Sequence, residues 1–188
     1  MKHKALGFFA AFLLSMLLCL PAFAANFASA TVSAHQTYMV IHTTAGSYNA
    51  PTIPGQVGFA SPAVSSDGHY IGWLALYPNL SYPVPVDLMV MDENGNLQKF
   101  ESDALIFEWC FLPSSKSVAF MSSSLHFTDG EEYEWWSLPD HVQLDTYVYP
   151  DDYRIKPELR ANDERAKAIK NAPAWVKCVP KSPIDEDN

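Results

Sequence analysis

Five histidines lie beyond residue 24, His35, His42, His69, His126 and His141, and no two of them stand three to five positions apart. Zinc sites of the usual kinds take close ligand pairs from one short stretch, so this spacing speaks against a metal centre. His126, near Asp129 and Glu131, is the histidine best placed for acid-base chemistry. The oxygen-rich run Asp92-Glu93-Asn94-Gly95-Asn96 brings its glycine too early for an EF-hand, and Asp103 stands where such a loop needs its closing glutamate. Turn formation accounts for that run. There is no G-x-S-x-G elbow, and Ser114-Ser115 and Ser122-Ser123-Ser124 fall at expected turns and strand ends. Asp129, Glu131, Glu132 and Asp151 could serve a hydrolase from loops, although acidic runs are ordinarily solvated surface. No catalytic residue, metal site or cofactor is assigned.

Binding chemistry is better represented. Trp135 and Trp136 are adjacent, so on a strand they face opposite sides. With Tyr82 and Tyr149, in or near loops, they are the candidates for a surface that recognises protein or glycan. The competing use of these rings, packing between sheets buried on both faces, suits a repeat protein better. Cys110 and Cys178 either form one disulfide, tying the C-terminal tail to the body, or leave Cys110 as a small buried apolar residue.

These residues need a scaffold, and the ends of the chain bound it. Lys2 and Lys4 precede an apolar run from Ala5 to Leu20, Pro21 breaks the run, and Ala22-Phe23-Ala24 offers the small residues a signal peptidase reads. Residues 1–24 are therefore expected to be a signal peptide, placing the protein in the periplasm or outside the cell with no stable membrane insertion after cleavage. The formal charge is −9, and losing Lys2 and Lys4 takes it to −11. A nucleic-acid partner would demand a basic surface, so that class is excluded. Residues 25–180 make one domain with enough chain for a core.

Between residues 37 and 147 the chain alternates short runs of aromatic and β-branched residues with Gly, Pro, Asn and Asp. That is strand-and-turn chemistry, with strands expected over 38–42, 70–76, 86–92, 97–100, 106–112, 117–122, 133–138 and 143–148. Residues 49–58 and 77–85 read as proline-rich connections. Helix formers gather only late, predicting one short helix over about 157–171, opened by Pro157 and ended by Pro173. Trp175 and Val176 are expected to dock the tail on the sheet, and residues 181–188 to be a disordered acidic tail.

The segment 63–100 can be laid on 110–147 at a constant offset of 47 residues, pairing apolar with apolar and turn with turn. A period of that size belongs to units that bury their apolar faces against neighbours. The string Ser61-Pro62-Ala63-Val64-Ser65-Ser66-Asp67-Gly68-His69-Tyr70-Ile71-Gly72-Trp73, followed by Asp92-Glu93-Asn94-Gly95, resembles the blade motif of the periplasmic Tol-system β-propeller and its WD-like relatives. The second unit departs from it, with Ser114-Ser115 in place of Asp-Gly and Leu138-Pro139-Asp140-His141 in place of Asp-x-x-Gly.

Residues 37–148 hold about two and a half such units, fewer than the roughly 4 to 8 blades of a closed propeller. The expected fold is mainly β: antiparallel blade-like hairpins forming a twisted sheet, sandwich or partial propeller, with one short C-terminal helix. Self-association could complete a ring. The expected function is an exported, non-enzymatic β-repeat interaction or binding module whose partner is a protein or cell-envelope component. The alternative is a secreted hydrolase using the loop acids.

Overall fold

The computed structural model describes residues 26–124, 130–149 and 171–180. Among them lie eleven strands: β1 (Phe27–Val32), β2 (Met39–Thr43), β3 (Gly46–Asn49), β4 (Gly58–Val64), β5 (Tyr70–Tyr77), β6 (Val84–Asp92), β7 (Leu97–Glu101), β8 (Leu105–Phe111), β9 (Ser117–Ser123), β10 (Glu131–Ser137) and β11 (Val142–Tyr149). They form three antiparallel sheets in sequence order, β1 to β3, β4 to β7 and β8 to β11. The fold is mainly β, as expected, and the sheets are open rather than closed into a ring.

The 47-residue offset runs through the backbone. β4, β5 and β6 begin at Gly58, Tyr70 and Val84, and β8, β9 and β10 begin 47 residues later at Leu105, Ser117 and Glu131. Val64 pairs with Ile71, and Phe111 with Val118, at the same offset. Pairing slips in the third strand. Trp73 faces Met89 but Phe120 faces Glu134, an offset of 45, and the fourth strand returns to 47, Lys99 facing Met89 and Thr146 facing Glu134. A slip of two preserves the alternation of faces, so every side chain still points to the side its counterpart uses.

The tight turns repeat as well. The Gly68 N–H donates to the Ser65 carbonyl at 2.9 Å, and the Ser115 N–H to the Leu112 carbonyl at 2.8 Å. Both positions need a left-handed backbone, with φ of 76° at Gly68 and 55° at Ser115. Glycine adopts it freely; serine does so at a cost.

The sheets stack face to face. Phe27, Met39 and Ile41 of the first pack on Phe59, Ile71, Trp73 and Met89 of the second. On the far side Leu74, Leu88, Val90 and Phe100 meet Trp109, Val118 and Phe120 of the third. Gly72 makes room for Trp109, since a Cβ there would lie 2.6 Å from the indole ring. The outer face of the third sheet, carrying Ala119, Met121 and Tyr133, is covered by Ala172, Trp175, Val176 and Val179. A disulfide between Cys110 and Cys178, with Cα atoms 6.1 Å apart, fastens that cover. The outer face of the first sheet is polar: His42 Nδ1 lies 2.8 Å from Ser47 Oγ, and its Nε2 3.2 Å from Thr31 Oγ1.

Three strands were not expected. β1 is rich in small residues, β3 is four residues long, and β4 carries Pro62 inside what reads as a turn motif. β4 is an edge strand with a bulge between Ala60 and Ala63, where proline costs no ladder bond. The helix expected over 157–171 lies outside the described residues except for Asn171, as do the signal peptide and the acidic tail. Within the described C-terminal stretch, Val176–Cys178 forms a 3-10 turn.

Candidate functional site

β9 and β10 alternate faces, sending Ala119, Met121, Tyr133 and Trp135 to the covered outer side of the third sheet. The other set, Val118, Phe120, Ser122, Glu132, Glu134 and Trp136, faces the second sheet. At one end this face is packed, with Trp136 and Phe100 rings 5.7 Å apart. Toward the other end the side chains turn polar. Ser122 pairs across the strands with Glu132, which pairs with Val148.

The sheets part there into two adjoining cavities of about 410 and 450 Å³ that share Val86, Ser102, Asp103 and Glu132. Ser122 lines the first; Asp87, Glu101, Glu134 and Gln143 complete the second. No Lys or Arg lines either cavity among the described residues. Lys99 instead pairs with Glu101.

Two groups of this cleft are unusual. Ser122 is 1% exposed, and its hydroxyl has no hydrogen-bond partner among the described residues. A buried unsatisfied hydroxyl costs about 1–3 kcal/mol, so its survival needs a reason. Glu134 is buried too, and its Oε2 accepts from the Trp136 indole at 3.0 Å and from Gln143 Nε2 at 2.9 Å. Burial raises its carboxyl pKa above the ordinary value of 4.5, the Trp136 bond opposes this, and the charges of Glu132 and Asp103 add to it.

The corresponding place one repeat earlier is closed. Ala75 and Asp87 hold the stations of Ser122 and Glu132, and the Tyr77 hydroxyl donates to Asp87. Tyr77 packs against the core between the first two sheets. The residue 47 positions on is Ser124, just past the end of β9, whose side chain is far smaller than a tyrosine ring.

The sequence-derived binding candidates do not meet on one surface. Trp135 packs against Trp175, with ring centres 5.9 Å apart, on the outer face of the third sheet, while Trp136 points the opposite way. Tyr82 stands exposed in the loop between β5 and β6. Tyr149 ends β11 opposite Glu131. Of the candidate hydrolase acids, Glu131 and Glu132 point to opposite faces of β10, and Glu131 accepts from the Tyr133 hydroxyl at 3.0 Å. Asp129, Asp151 and His126 lie outside the described residues. No group of three or more His, Cys, Asp or Glu side chains is placed to hold a metal ion among the described residues.

From the sequence, Ser122 is weighed only as a strand-end serine and Asp103 only against a calcium loop, and Glu134 is missed. The alternation Glu132-x-Glu134-x-Trp136 is the signal that could have found the acids, since it sets two carboxylates on the face of an apolar ring. Compared with known protein families and with curated proteins, the chain matches none.

Proposed function

We propose that this chain is an exported, non-enzymatic binding module, periplasmic or secreted, built from blade-like repeats akin to those of the Tol-system propellers. Its ligand, a protein or cell-envelope component, enters the cleft between the second and third sheets. The observation that carries this reading is the partnerless hydroxyl of Ser122, buried on the wall of an open cavity that a tyrosine closes in the preceding repeat. A ligand supplying that hydrogen bond removes the penalty. No helix among the described residues is long and apolar enough to cross a membrane.

A hydrolase ranks second. Glu134, its pKa raised by burial, has the character of a general acid, but Oε2 already serves Trp136 and Gln143. The test is cross-linking in intact cells, followed by recovery of tagged protein from the envelope fraction. Wild type and a Leu80→Ser control at the fully exposed β5–β6 loop are expected to give the same discrete adduct, and Ser122→Leu, which blocks the cleft, to lose it. An adduct unchanged by Ser122→Leu, with its fold verified by thermal melting, would exclude the cleft.

A further inference from the structure

We infer that the cleft between the second and third sheets binds an alkylammonium group, carried by a linear polyamine or by a lysine side chain of a protein. The inference rests on the reading of the cleft as the ligand site and adds the chemistry of the ligand. An ammonium carries three N–H donors and no acceptor. The cleft offers the complement: the Ser122 hydroxyl oxygen, and the carboxylates of Asp103, Glu132 and Glu134 without a lining Lys or Arg among the described residues.

Ser122 and Glu132 are direct cross-strand partners on one face, so a single donor group can meet both from the second-sheet side. Val86 and Val148 stand on the walls beside them, suited to the methylene stem behind an ammonium. An anionic ligand would meet like charge. A neutral one would leave Glu132 and Asp103 crowding Glu134, whose ionised form those two charges disfavour. The geometry also separates this ligand from a bare metal ion, because the acids do not converge as a ligand set among the described residues. Charge alone would attract cations anywhere on so acidic a chain. The buried hydroxyl marks this place among the others.

Titration calorimetry at low salt tests it, using spermidine, a blocked tri-lysine peptide and the same peptide with its lysines acetylated. One saturable site is expected for an amine probe, with no binding of the acetylated peptide. Glu132→Gln, an exposed near-isosteric change, and Ser122→Ala are each expected to weaken binding roughly tenfold or more, as loss of a charge-assisted contact does. Stronger binding of spermidine assigns the site to a free polyamine; stronger binding of the peptide assigns it to a protein lysine. Equal affinity in wild type and both variants would overturn the inference by placing the cations elsewhere on the acidic surface. Absence of amine binding would overturn it as well. In that case an envelope adduct still lost in Ser122→Leu would keep the cleft as the ligand site and reject only the ligand class, whereas an adduct insensitive to Ser122→Leu would remove both.

Discussion

Glu134 lies on the second-sheet side of β10 between Glu132 and Trp136, and its two hydrogen bonds hold its carboxyl where burial disfavours the charged form. A carboxyl whose pKa is raised by folding binds protons more tightly in the folded state, so its contribution to stability is full at low pH. That contribution is lost as pH rises from 4.5 through the raised folded value. Glu134→Gln keeps an acceptor oxygen for Trp136 and Gln143 and removes the titration. Urea denaturation across that range is expected to show wild type losing stability relative to the variant as pH rises; parallel curves would mean that the carboxyl is not perturbed. At this scale the sequence was partly legible. The alternation in β10 and the pairing choices open to Cys110 and Cys178 could be read directly, and the structure has the disulfide. That Ser122 lacks a partner could not be read, because it depends on which residues β8, β10 and the second sheet bring to that hydroxyl.

Among the elements, the β4-β5 and β8-β9 hairpins are one design used twice, and Trp73 and Phe120 hold the same station in it, each 0% exposed. Trp73→Ala and Phe120→Ala are each expected to cost ~3 to 5 kcal/mol, since both leave a ring-sized cavity in a packed inter-sheet layer. Unchanged denaturation midpoints in both variants would contradict the equivalence. β5, β8 and β9 are readable from the sequence, because apolar alternation and turn residues are local signals. β4 escaped because its Ser61-Pro62 looks like a turn, and only its place at a sheet edge makes proline acceptable there. The two-residue slip of β10 was invisible in principle: both offsets keep the same faces apolar, and the choice is made by loop lengths.

At the scale of the whole molecule, the three sheets form a stack whose two outer faces differ. The first sheet turns a hydrogen-bonded polar face outward, and the C-terminal segment covers the third, held by Trp175 against Trp135 and by the Cys110–Cys178 bond. Capped termini of this kind are what repeat arrays need to stay soluble without further neighbours. Closing a loop across 68 residues adds ~4 kcal/mol to folding stability in the chain-entropy description, by constraining the unfolded chain. Sedimentation velocity on the oxidised protein, from micromolar to sub-millimolar concentration, is the most direct test of this account. We predict a single species with the mass of one chain, and concentration-dependent association when Trp175→Ala and Cys178→Ser together uncover the third sheet. A stable dimer or larger ring of the oxidised wild-type protein would contradict it.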